Sequence, residues 1–178
     1  LSDKAETGDC SSVQKLSRNI KSLFPYDHFI LLSQGRLAES FMCSALGKKD
    51  HAVIQNLLFP TTRYHQVNNR LIPLEIPVKN VFDSSPDIIF RGNLDVEGLL
   101  SAIERQPVSA VYVETGNNAS GGYPVAMENI NEVSGIARRH HMPLILDATR
   151  IVENAVFIKR CEKGYEDKTI FEIIHEFC

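Results

Sequence analysis

Tryptophan is absent from this 178-residue chain, and cysteine occurs only four times, at Cys10, Cys43, Cys161 and Cys178. Those cysteines lie far apart and form no CxxC pair. That excludes a zinc-ligand spacing and leaves reduced, structural thiols as the reading. No apolar run approaches the roughly 20 residues of a membrane span. The opening Leu1-Ser2-Asp3-Lys4 is no signal peptide either, so a cytoplasmic protein without a membrane partner is the expectation. Because the first residue is Leu rather than Met, a start further upstream in the gene is also expected. An excess of one charge is missing: 19 Lys+Arg stand against 22 Asp+Glu, a formal net charge of −3. Nucleic acid and anionic membranes therefore have no electrostatic claim on this chain. Neither a GxSxG elbow nor an HExxH is present, which leaves hydrolase and zinc-protease readings without support. Internal repeats, low-complexity stretches and linkers are also lacking.

What is present suits a single α/β domain over residues 1–178, since 43% of the residues are hydrophobic and 23% charged. Val13 to Phe24 carries apolar residues at helical spacing, and Pro25 ends it. His28 to Leu32 is a short apolar run read as a strand, and Leu37 to Leu46 as a helix. Ala52 to Phe59 and Leu71 to Val78 read as strands. A helix over Asn93 to Glu104 opens on a cap-like Asn-x-x-Val. Ala110 to Glu114 is a strand followed by a glycine-bearing loop to Gly122. Met127 to His141 is a helix, and Pro143 to Leu146 is a fully apolar strand of the buried parallel type. Helices follow over Ile151 to Lys163 and Thr169 to Phe177. Such alternation predicts an open, mostly parallel sheet with helices on both faces.

Ligands of such sheets bind beyond the carboxyl ends of the strands, and four polar features fall there. Gln34-Gly35-Arg36 precedes a helix, where backbone N–H groups, a glycine and an arginine fork suit a phosphate; a tight turn with a surface arginine explains the same residues. Phe59 offers a flat face to an aromatic ring, or is simply core. Asn118 is placed to donate to a ligand oxygen, although turns also favour Asn and Gly. Asp147 is the sharpest feature. A carboxylate after Leu144-Ile145-Leu146 is costly in a nonpolar site unless paired. Either Arg150 pairs with it, or it faces a protonated ring nitrogen of a bound cofactor. His65, His140 and His141 have no metal-ligand pattern around them.

Several ordered motifs carry a resemblance. They are Ser33-Gln34-Gly35-Arg36-Leu37-Ala38-Glu39, Phe59-Pro60-Thr61-Thr62-Arg63-Tyr64-His65-Gln66 and Phe90-Arg91-Gly92-Asn93-Leu94-Asp95, followed by Asn118-Ala119-Ser120-Gly121-Gly122-Tyr123-Pro124-Val125 and Asp147-Ala148-Thr149-Arg150-Ile151-Val152-Glu153-Asn154-Ala155. With these the chain resembles the tyrosine phenol-lyase and tryptophanase family of β-eliminating lyases along its whole length. The resemblance implies part of the large domain of the aspartate-aminotransferase (fold type I) architecture, an amino-acid substrate, an oligomer, pyridoxal 5'-phosphate as cofactor and a monovalent cation such as potassium. Carried over residue by residue, Gln34, Gly35 and Arg36 hold the cofactor phosphate and Phe59 stacks on its ring. Asn118 and Arg150 contact the ring hydroxyl, and Asp147 pairs with the ring nitrogen.

Departures are equally specific. The family's cofactor lysine lies a few dozen residues beyond Cys178, and neither Lys159, Lys163 nor Lys168 stands at its place. The arginine that reads the substrate carboxylate and the C-terminal small domain are beyond this stretch too. Gly8-Asp9 runs directly into Cys10-Ser11-Ser12, with no counterpart of the family's catalytic tyrosine or cation-binding glutamate. Pro60 replaces a hydroxyl residue, Ser33 a histidine and Leu37 a glycine, which leaves phenol or indole as leaving group open. No catalytic residue is therefore assigned within the chain. Two expectations follow: a lyase completed by further residues or by a second chain, or a non-catalytic homologue that serves as a binding or assembly subunit.

Overall fold

The computed structural model describes residues 3–83, 85 and 87–178, with side chains described from Ser12 onward. Its centre is a sheet of four parallel strands, β1 (Ala52–Gln55), β2 (Ile72–Glu75), β3 (Val108–Glu114) and β4 (Leu144–Asp147), in the order β2-β1-β3-β4. Every residue of β1 is buried, as are six of the seven in β3, while the edge strands β2 and β4 are only partly covered. Both faces of β1 and β3 are packed, whereas the apolar run Pro143 to Leu146, expected to be a buried strand, lies in the partly covered β4.

Side-chain alternation divides the sheet into two faces. Ile54, Val111 and Val113 point into the larger core with residues of α4 (Val96–Arg105), α5 (Met127–Arg139), α6 (Ile151–Cys161) and α7 (Ile170–Glu176). Val53, Ala110 and Tyr112 point the other way, against Cys43 of α2 (Gly35–Leu46). Helices on both faces of a parallel sheet are the architecture expected from the sequence. On the α2 face the same alternation continues to Glu114 on β3 and to Asp147 on β4. These two residues are register partners at the carboxyl ends of adjacent strands.

Four local expectations need correction. His28 to Leu32 forms no strand. Ile30 and Leu31 are 77% and 59% exposed, and an apolar run without a neighbouring strand has no ladder to join. The helix after Asn93 begins only at Val96, because Asp95 is its N-cap, accepting a hydrogen bond from Glu97 N at 3.1 Å. Asn93 instead accepts from Ala126 N at 2.8 Å and ties that helix to the start of α5. Beyond Gln55 the chain leaves the sheet and enters α3 (Pro60–Asn68), a helix the sequence pattern gave no sign of. Its buried side chains are Thr62 and Gln66, both polar, so no apolar stripe marks it. Gln66 is satisfied by a reciprocal amide pair with Gln55, at 2.8 and 3.0 Å. The first helix, α1 (Asp3–Leu23), starts well before Val13.

Buried amides hold the loops at the carboxyl edge. Asn154, fully buried on α6, accepts from Gly116 N at 2.9 Å and Val125 N at 2.8 Å, and donates to Val125 O at 2.8 Å. Removing it leaves three backbone groups unpaired away from water. We expect Asn154→Ala to cost about 2–4 kcal/mol, read as a lower urea midpoint with an unchanged slope; a loss within error of zero would contradict this role.

Candidate functional site

Strand order reverses direction between β1 and β3, since β1 connects outward to β2 and β3 outward to β4. A crevice forms beyond the carboxyl ends at such a point. Here it is a cavity of about 790 Å³ whose wall includes Gln34, Gly35, Arg36, Phe59, Asp147 and Arg150. Six of the seven residues singled out from sequence thus meet on one wall although 116 positions separate the first from the last. The seventh, Asn118, is exposed and off the cavity wall, but Arg150 Nη2 donates to its Oδ1 at 2.9 Å.

Each wall residue is placed by a nameable local cause. Gln34 is extended, with φ −164°, and its side chain does not cap α2; the first turn also lacks an acidic residue. The positive end of the helix dipole is therefore not neutralised locally, and Arg36 adds a full charge beside it. At Gly35 an added Cβ would meet nothing within 4 Å, so the backbone is open on that side. Phe59 is the N-cap of α3 and stays 38% exposed, its ring on the cavity wall. Next to it, Thr61 and Thr62 donate to Glu39 Oε1 at 3.1 and 2.5 Å, joining α3 to α2.

Asp147 does not pair with Arg150. Its Oδ1 accepts from Thr149 N at 3.0 Å and Thr149 Oγ1 at 2.6 Å, and its Oδ2 accepts from the Tyr112 hydroxyl at 2.7 Å. A carboxylate has about four acceptor sites, so these three donors fix its plane and leave one site on Oδ2. Burial, then the charge of Asp147, push the Tyr112 phenol far above its ordinary range. It remains a protonated donor throughout the working pH range.

Arg150 turns to Glu114 instead. Glu114 is 4% exposed. Its Oε1 accepts from Arg150 Nη1 at 3.2 Å and Asn118 N at 3.1 Å, and its Oε2 from Asn117 Nδ2 at 3.2 Å. Gly116 makes this approach feasible: it sits at φ +57°, and a Cβ there would stand 2.8 Å from Arg150 Cβ. Burial raises the Glu114 carboxyl above its ordinary value, and the neighbouring Asp147 raises it further; the Asn118 N–H and Arg150 oppose both.

Neither Glu114 nor Tyr112 was singled out from the sequence. A signal existed: Val111-Tyr112-Val113-Glu114 ends an apolar strand on an acid in the same way as Leu144-Ile145-Leu146-Asp147. Among the described residues no group of three or more His, Cys, Asp and Glu is arranged to hold a metal ion, and no helix is long and apolar enough to cross a membrane.

A parallel α/β sheet with a charged cavity at its carboxyl edge defines a ligand-binding domain of the doubly wound class. Comparison with known proteins narrows this. The family model described as beta-eliminating lyase matches residues 1–176. The chain is 35% identical to a tyrosine phenol-lyase of Lacrimispora saccharolytica, covering 99% of the chain and 38% of that protein. It is 40% identical to a tyrosine phenol-lyase of Clostridium tetani, over 90% of the chain and 36% of that protein. A tryptophanase of Escherichia coli is 32% identical, over 98% of the chain and 40% of its own length. The chain belongs to the beta-eliminating lyase family. It spans about two fifths of the length of these relatives.

The raised Glu114 carboxyl has a consequence for stability. It binds its proton more tightly in the fold than in the unfolded chain, so its contribution falls as pH climbs from the ordinary 4.5 through the raised value. Glu114→Gln removes that fall. The stability of the variant relative to wild type should therefore rise as pH climbs above 4.5 and level off beyond the raised value, as read from paired urea titrations; a constant difference would refute the assignment.

Proposed function

We propose that the cavity is the pyridoxal 5'-phosphate cradle of a β-eliminating lyase that acts on an amino acid. The observation that carries this reading is Asp147: a carboxylate at a strand end, held by three donors, with one acceptor site still free. A protonated ring nitrogen has one N–H to give, which matches that site in number and in charge. When bound, the cofactor supplies an electron sink for the carbanion left after loss of the α-proton.

The residues of the chain would then act as follows. Backbone N–H groups at Gly35 and Arg36, with the Gln34 side chain and the Arg36 guanidinium, bind the phosphate at the start of α2. Phe59 covers one ring face and excludes water from it. Arg150 would donate to the ring hydroxyl, with Asn118 Oδ1 fixing the guanidinium. Asp147 would hold the proton on the ring nitrogen, with Tyr112 and Thr149 keeping its carboxylate oriented. The lysine that binds the cofactor covalently, the reader of the substrate carboxylate and the α-proton base belong to further residues or to a second chain.

Pyridoxamine 5'-phosphate has no aldehyde and so tests the cradle without the lysine. We expect the natural protein to bind it, with Asp147→Ala weakening binding by at least tenfold, about 1.4 kcal/mol. Natural protein reconstituted with pyridoxal phosphate should also show an absorbance that borohydride fixes covalently. A protein that binds neither compound would favour the non-catalytic assembly subunit instead.

Assembly is part of the proposal. Phe41 on α2 and Tyr64 and Val67 on α3 are 56%, 63% and 58% exposed, and the two helices pack together. Tyr64 and Val67 line one shallow hollow, and large exposed apolar side chains on two packed helices favour a partner surface. We expect sedimentation to give an oligomer or a complex; a stable, monodisperse monomer would overturn this part.

A further inference from the structure

Arg150 is clamped before any ligand arrives. Glu114 Oε1 accepts from its Nη1 at 3.2 Å, Asn118 Oδ1 accepts from its Nη2 at 2.9 Å, and the Asn118 backbone N–H donates to the same Glu114 oxygen at 3.1 Å. These three groups close a ring of hydrogen bonds beside the cavity, with the carboxylate buried and the guanidinium partly exposed. Glu114 itself lines the cavity, and the other charge on the neighbouring strand end is Asp147, its register partner.

We propose that Glu114 is a positioning residue that sets both the direction and the effective charge of Arg150, and through it the acidity of the ring hydroxyl of a bound pyridoxal-type cofactor. The inference rests on the cofactor reading above. An arginine left free beside a phenol stabilises the phenolate at full strength. One whose charge is balanced by a buried carboxylate stabilises it less, because the two opposite charges largely cancel at the distance of the ligand. The partner is deeply placed: screening by water, which makes surface pairs weak, is reduced at a side chain only 5% exposed, although Arg150 itself is 35% exposed. A purely structural role would need only hydrogen-bond acceptors at this position. An amide oxygen in the place of Oε1 still accepts from Asn118 N and Arg150 Nη1, at the loss of the Asn117 Nδ2 bond to Oε2, but it does not supply the charge.

The groups that face Glu114 define the expected response. Asp147 approaches from β4, Arg150 from the turn that leads into α6, and the Asn117 and Asn118 amides from the loop after β3. Removing the Glu114 charge leaves Arg150 as the uncompensated neighbour of the ring hydroxyl. The hydroxyl should then lose its proton at lower pH.

The test uses pyridoxamine 5'-phosphate bound to the natural protein, titrated by absorbance through ionisation of its ring hydroxyl. Glu114→Gln should lower the midpoint by about one pH unit, a tenfold change in acidity, and Glu114→Asp, which keeps the charge, should return it most of the way. An unchanged midpoint in a folded Glu114→Gln protein overturns the inference and leaves the cofactor reading standing. Should that variant fail to fold, Arg150→Gln removes the cation through which Glu114 acts and must raise the midpoint; no rise overturns the inference equally. Failure of the wild-type protein to bind the compound overturns both readings together.

Discussion

Two carboxylates stand side by side at the ends of adjacent parallel strands, and much of the site is arranged around keeping them there. Glu114 and Asp147 are register partners on β3 and β4 and project from the same face of the sheet. Like charges so placed repel, and burial of one of them adds a desolvation cost. The fold answers by giving each carboxylate its own donors. Asp147 receives Tyr112 and both donors of Thr149; Glu114 receives Arg150, Asn117 and the Asn118 backbone. No donor is shared between them. The separation leaves two distinct electrostatic corners, one open and anionic, one neutralised from within and presenting a cation.

That division also explains why Tyr112 belongs where it is. Strand alternation puts residues 112 and 114 on the α2 face, so residue 112 lies beside Ile145 of the next strand and diagonal to Asp147, two residues further on. A phenol at that place fills the space against Cys43 and Val53 while its hydroxyl reaches Asp147. Apolar packing and polar orientation are supplied by a single side chain.

Much of this was legible in the sequence, for reasons that differ by residue. Asp147 stood out because an acid after three aliphatic residues has few bland explanations, and Gln34-Gly35-Arg36 because a glycine and an arginine open a helix. The strand core was legible because Val53, Ile54, Val111 and Val113 are buried by the sheet itself. The partner of Arg150 was not legible. Sequence proximity pointed to Asp147, three residues away, whereas Glu114 lies 36 positions earlier and meets Arg150 only because β3 and β4 are neighbours. Helix α3 escaped for a different reason: it buries Thr62 and Gln66 rather than aliphatic residues, so its period carries no apolar signature. The run His28 to Leu32 misled in the opposite sense, being apolar without being paired.

The cradle is built on four separate loops, and a single residue keeps two of them in step. Asn117, fully buried, donates from Nδ2 to Leu57 O at 2.7 Å and to Glu114 Oε2 at 3.2 Å. The first bond fixes the segment that leads from β1 to Phe59; the second fixes the carboxylate that clamps Arg150. Asn56 repeats the tie one step back, bonding Glu114 O at 3.0 Å and Gly92 O at 2.9 Å. A shift of the Phe59 loop would therefore drag on the Glu114 corner. The face offered to a ring and the donor offered to its hydroxyl are held as one rigid unit, which is what a site needs if it is to be shaped before its ligand arrives.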